Sequence, residues 1–182
     1  MTAPEPAPEP APKPAPDPRA EGIAPPTVDS RSSFSDAIVW GVAQALHTDA
    51  RRLLWVDPDF AAWPLDDPAL HTLLTRFLRR PQRRLQCLAA HFDEMPRRHP
   101  RFTRWRRDWA HALQPQAAPE AQANRLPTLL LDDRGTVVRL LDRSRWKGRA
   151  GTDPLDARGT WHALDALLQQ SEPAWPVTLL GT

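Results

Sequence analysis

Asp57 and Asp59, separated only by Pro58, directly follow the apolar run Leu53-Leu54-Trp55-Val56. Carboxylates at the carboxyl end of a buried strand stand where open α/β sheets take their ligands. With a histidine in reach, such a pair could perform general acid–base hydrolysis. His99 is the histidine to consider, inside the basic run Arg97-Arg98-His99-Pro100-Arg101. That run offers a second chemistry of its own, phosphate held by Arg98, His99 and Arg101 near a helix N-terminus. Asp57, Asp59, Arg98, His99 and Arg101 are therefore the candidate ligand-binding residues, and no residue is assigned a catalytic role.

Other titratable groups have simpler readings. Asp66-Asp67 before Pro68 reads as a helix cap, and Asp132-Asp133 before Arg134-Gly135 as turn residues. Cys87 and His91 lie four apart with no second cysteine, short of a metal-ligand pattern. A buried cysteine acting as a small hydrophobe is the expectation there. The sequence contains no Gly-rich phosphate loop, nucleophile elbow or dinucleotide fingerprint. Neither a metal nor a cofactor is expected.

The formal charge of +2 hides a strong asymmetry. Eleven arginines lie between Arg76 and Arg107, opposed only by Asp93 and Glu94, a local net of +9. Such a field attracts phosphate, nucleic acid or an acidic partner. The competing reading is a solvated face, because the chain has no tyrosine and two lysines beside 22 arginines and 22 prolines. Under that composition arginine is simply the available solubilising cation. Phe102, Trp105 and Trp109 share one side of a helix whose arginines lie on the other, so they belong to a core rather than to a base-stacking surface.

These residues need elements to hold them. Residues 1–32 carry proline at every second position over much of their length and form an extended, disordered tail. A single α/β domain over 33–182 follows. Ser33 and Asp36 have capping-box spacing, opening a helix to about Thr48. Arg52–Val56 and Arg84–Ala89 read as strands, with a helix from Pro68 to Pro81 between them. A third helix is expected over Arg97–Leu113, with Pro100 in its first turn, and a short strand near Gln114–Ala118. Thr128–Leu131 and Thr136–Leu141 flank Asp132-Asp133-Arg134-Gly135 as a hairpin. A basic loop over Arg143–Gly151 then leads to a last helix carrying Leu155, Trp161, Leu164 and Leu168. Together these give a mixed sheet flanked by helices. One cysteine precludes an intrachain disulfide and suits a reducing compartment. No apolar run reaches the ~20 residues of a membrane span, and the N-terminus does not read as a secretory signal. The expected location is the cytoplasm.

From Ala50 onward the chain resembles an uncharacterised bacterial domain often fused behind N-acetyltransferase domains, with the fold of half a phospholipase D-like enzyme. The likeness lies in ARRLLWVDPDF at 50–60, RRH at 97–99 with Arg106-Arg107, LLLDDRG at 129–135, WKGRAGTDPLDA at 146–157 and QSEP at 170–173. Active phospholipase D-like enzymes carry His-x-Lys-x4-Asp near the first hairpin strand. Counting back from Asp132 puts Arg125 and Pro127 at the His and Lys positions, and counting from Asp133 puts Leu126 and Thr128 there. Neither register supplies a nucleophile or its charge-balancing lysine. The resemblance therefore implies a catalytically inactive half-domain, a binding or regulatory module that pairs as a homodimer. Two alternatives stand beside it: a hydrolase built on Asp57, Asp59 and His99, and a structural partner of an acetyltransferase.

Overall fold

The computed structural model describes residues 24–177. Most of the expected tail, residues 1–23, lies outside that range. Val28, placed in the tail by the sequence reading, is already core at 2% exposure, and its carbonyl accepts the Gly148 N–H at 3.0 Å. Helix α1 spans Arg31–His47, capped by Ser30 rather than Ser33. Ser30 Oγ accepts the Ser33 N–H while Ser33 Oγ accepts the Ser30 N–H, so the reciprocal box closes one turn earlier than expected.

Seven strands form one mixed sheet among the described residues. They are β1 (Arg52–Val56), β2 (Arg84–Ala89), β3 (Leu113–Ala117), β4 (Thr128–Asp132), β5 (Thr136–Asp142), β6 (Lys147–Thr152) and β7 (Glu172–Pro173), in the spatial order β6-β5-β4-β1-β2-β3-β7. β1, β2 and β3 run parallel, and β4, β5, β6 and β7 each pair antiparallel with a neighbour. Helix α2 (Pro68–Arg79) connects β1 to β2, with Asp67 Oδ1 accepting the Ala69 N–H at 2.8 Å as its cap. Leu70, Leu73, Leu74, Phe77 and Leu78 recur at helical spacing and are all buried.

The helix expected over Arg97–Leu113 is broken. α3 (Met95–Arg98) and α4 (Pro100–Trp105) meet at His99, whose φ of −132° and ψ of 64° lie outside the helical region. Pro100 causes the break, since it disfavours helical backbone at the residue before it and has no N–H to continue the ladder. A 3-10 turn at Arg106–Trp109 follows, and the chain then enters β3. α5 (Glu120–Ala123) is a single short turn before β4. Beyond the hairpin, the expected basic loop is in large part strand β6. Its glycines disguised it: a Cβ on Gly148 would stand 2.4 Å from the Arg139 carbonyl oxygen, so only glycine lets β6 lie against β5 there. Helix α6 (Pro154–Gln170) is capped by Asp153, whose Oδ1 accepts the Leu155 and Asp156 N–H groups. Of the apolar residues this helix carries, Leu164 and Leu168 are buried, whereas Leu155 is 78% exposed.

Alternation along the strands divides the core in two. Leu53, Trp55, Leu85, Cys87, Leu130 and Val138 face α1, α2 and Phe102, whereas Leu54, Val56, Leu88, Leu129, Leu131 and Val137 lie with Leu164 and Leu168 of α6. α1 approaches the sheet closely at Gly41, where a Cβ would stand 2.9 Å from Leu130 Cδ2 and 3.3 Å from Val138 Cγ2. Gly41→Val should therefore lower unfolding stability by about 1–3 kcal/mol through overpacking, despite its better helix propensity. Urea denaturation measures this, and a variant as stable as the parent would contradict the close approach.

Candidate functional site

β1 ends in a loop that Asp57 builds from inside. Its side chain is fully buried. Oδ2 accepts the N–H groups of Asp59 at 3.1 Å and Phe60 at 2.7 Å, closing the Asp-Pro-Asp-Phe turn. Oδ1 accepts the Thr128 hydroxyl at the start of β4 and stands 3.4 Å from Arg143 Nη1 after β5. One carboxylate thus joins three segments far apart in sequence. Asp59 is half-buried and accepts the Ala61 N–H at 2.9 Å, a second local turn.

His99 approaches the same loop from the α3–α4 break. Its ring is buried, and Nε2 donates to the Phe60 carbonyl at 2.9 Å. Only an Nε2–H can make that bond, because a carbonyl oxygen only accepts. Burial lowers the His99 pKa below its usual 6.5 despite that bond. Asp57, Asp59 and His99 therefore do converge on one loop, and the polar contacts of all three hold its backbone. Arg98 and Arg101 are exposed, with Arg98 3.8 Å from Glu94. α4 is six residues long, too short for its N-terminus to act as an anion site, and Asp66 Oδ1 already accepts its Phe102 N–H at 2.9 Å. Asp66 therefore serves α4, and Asp67 alone caps α2.

Of the clefts described here, the roomiest, about 530 Å³, opens at the opposite end of the sheet from Asp57. Arg52 at the start of β1, Asp132, the hairpin turn and Trp161 line it. Asp132 is fully buried, and its Oδ1 accepts the Arg134 and Thr136 N–H groups at 2.8 Å. Burial raises its pKa above the usual carboxylate value. Asp133 Oδ1 accepts the Arg51 N–H at 2.9 Å and so ties the turn to β1. Both residues are turn-builders, as their spacing implied. Cys87 is buried in β2, and desolvation pushes its thiol well above its ordinary range, away from nucleophilic chemistry.

The arginine-rich segment is heterogeneous. Arg80 and Arg83 pair with Asp49, and Arg97 pairs with Glu94. Arg79, Arg84, Arg101, Arg104 and Arg107 are exposed and have no carboxylate within ion-pair distance among the described residues. Arg106 differs from all of these: it is 6% exposed, stacks over Trp175 and donates to the Pro176 carbonyl at 3.1 Å. The sequence counts Arg106 among the basic residues and, with Arg107, among the pieces of the resemblance, but gives it no inward position. Its inward position follows from the 3-10 turn that replaces the expected helix, and no residue spacing announces that turn.

Among the described residues, no three His, Cys, Asp or Glu side chains are placed to hold a metal ion. Nor is any described helix long and apolar enough to cross a membrane. No protein-family model, curated protein or solved structure matches the chain.

Two outcomes follow from the Asp57 loop. Asp57→Ala should cost about 2–4 kcal/mol of unfolding stability, because the Phe60 N–H and the Thr128 hydroxyl lose a buried acceptor. Chemical denaturation measures it, and a change below about 0.5 kcal/mol, the range of an ordinary surface substitution, would show the carboxylate to be dispensable to the fold. His99 titrates lower folded than unfolded, so the unfolded chain takes up the proton first as the solution is acidified. Its effect is absent above the ordinary value of 6.5, and stability falls as pH drops from there through the lower folded value. His99→Gln, which keeps a donor toward Phe60, should flatten that part of the stability–pH curve. Identical curves for parent and variant would contradict the assignment.

Proposed function

We propose that the chain is a non-catalytic, phospholipase D-like half-domain that binds anionic ligands through the segment from Arg76 to Arg107. The observation that carries this reading is the division of labour among polar groups. Asp57 and His99, the side chains best suited to acid–base chemistry, are buried and bonded to the loop they shape. Five arginines, in contrast, are exposed without a carboxylate partner among the described residues. Groups presented to solvent with unused donors recognise ligands, whereas buried and fully engaged groups hold a frame.

The positions matching the phosphodiesterase motif support the same view. Counting back from Asp133, Leu126 is buried, and Thr128 donates its hydroxyl to Asp57. Counting back from Asp132, Arg125 is exposed and Pro127 has no side-chain donor at all. Neither register offers a nucleophile to phosphorus. The homodimer and the acetyltransferase partner rest on the resemblance alone.

Binding of a fluorescent single-stranded DNA oligonucleotide, a generic polyphosphate, tests the arginine surface. The dissociation constant should rise steeply with salt, with a log–log slope of roughly 0.7 for each phosphate contacted. Arg101→Gln combined with Arg104→Gln should lower that slope by about one contact or more while leaving the thermal unfolding midpoint unchanged. Affinity indifferent to ionic strength, or undetectable at low salt, would overturn the reading.

A further inference from the structure

Helix α6 turns two faces in two directions. Ala157, Leu164 and Leu168 are buried in the core, while Arg158, Trp161, His162 and Asp165 recur at helical spacing along the side that walls the cleft of about 530 Å³. The β4–β5 turn closes the opposite wall. Gly135, at φ 111°, lies against Pro154, and its carbonyl accepts the Asp153 N–H at 2.8 Å. Trp161 Nε1–H donates to the Asp132 carbonyl at 3.1 Å, which fixes the indole between helix and turn. Arg52 lays its guanidinium over that indole, 4.5 Å from the ring centroid, and donates from Nη2 to Gln86 at 3.1 Å.

Arg52, Arg134 and Arg158 are matched in number around this cleft by Asp132, Asp133 and Asp165, so what sets it apart is which of these groups are already used. The carboxylates are engaged. Asp133 Oδ1 accepts the Arg51 and Arg52 N–H groups, Asp165 Oδ2 accepts the Gln169 amide at 2.8 Å, and Asp132 is bonded within its own turn. Two of the arginines are not. Arg134 from the turn and Arg158 from α6 are exposed, and neither side chain has a hydrogen bond or an ion pair among the described residues. His162, one turn beyond Arg158 on the same face, is exposed and equally unengaged. The cleft of about 470 Å³ at the β3–β7 edge offers no such pair, since Arg106 there is buried against Trp175.

We propose that the cleft between α6 and the β4–β5 turn binds a small aromatic phosphate ester, its phosphate held by Arg134 and Arg158 and its ring against Trp161 and Pro154. Open guanidinium forks suit phosphate oxygens, which accept two parallel N–H···O bonds. The volume is that of a small-ligand site and far exceeds a lone phosphate ion. An indole fixed by its own hydrogen bond offers a ring a firm apolar wall. None of these residues lies between Arg76 and Arg107, so this is a second seat, separate from the exposed surface proposed above.

The indole Nε1–H resonance of Trp161 in the full chain, assigned by its loss in Trp161→Phe, reports the cleft. Phenyl phosphate, inorganic phosphate and phenol are titrated in separate arms at physiological salt. Phenyl phosphate should shift that resonance saturably and bind at least about tenfold tighter than either fragment alone. Arg134→Gln combined with Arg158→Gln should weaken it by about tenfold or more through lost charge-assisted hydrogen bonds. The thermal unfolding midpoint of the free protein should stay unchanged, because neither side chain bonds to the rest of the described fold. A Trp161 resonance silent to phenyl phosphate, binding no tighter than that of inorganic phosphate, or affinity unchanged in the double variant would each overturn the proposal. The two readings fail separately: Arg101→Gln with Arg104→Gln should lower oligonucleotide affinity and leave the Trp161 response intact.

Discussion

One buried carboxylate fixes the geometry of this protein. Asp57 takes hydrogen bonds from the two backbone amides of its own turn and from the Thr128 hydroxyl, and it faces Arg143 across the sheet end. The parallel half of the sheet, β1-β2-β3, and the antiparallel half, β4-β5-β6, meet at the β1–β4 pairing. Asp57 sits at that seam, where each half alone would leave polar groups unmet. A charge can be kept in such a place only when several donors surround it. The loop it shapes then presents the Phe60 carbonyl, which the buried His99 holds from a different layer.

This arrangement explains why residues with the right types for chemistry do architectural work. A general base must reach a substrate proton, so it needs solvent access or a cleft. Asp57 and His99 are buried, and neither lines the clefts described here, one beside Asp132 at the opposite end of the sheet and one beside Arg106 at the β3–β7 edge. Asp57 at the carboxyl end of β1 and His99 at the α3–α4 break thus spend their polar contacts on the loop between them.

Much of the fold was legible in the sequence. Strands β1 and β2 have the expected limits, and helix α2 with its Asp67 cap and the β4–β5 hairpin lie within one or two residues of theirs, because each carries an apolar period bounded by turn chemistry. The misread parts lack such a signal. β6 is charged and glycine-rich, as an edge strand lying close to its neighbour can be. The Arg97–Leu113 stretch keeps helical periodicity across Pro100, yet the proline's effect on His99 splits it. The site was legible only as far as a segment. Residue types drew attention to the Asp57 loop and the arginines, but which arginine turns inward was decided by a local 3-10 turn and by contacts with Trp175, some 70 residues away in the chain.

The reading proposed above is of a phosphodiesterase-like frame without a group able to attack phosphorus. The most direct measurement is hydrolysis of bis(4-nitrophenyl) phosphate by the purified chain across neutral pH, with and without added divalent metal. The account expects no turnover above buffer, and no difference between the parent and His99→Gln. Turnover that a single substitution within residues 24–177 abolishes, in a variant that still folds, would contradict it.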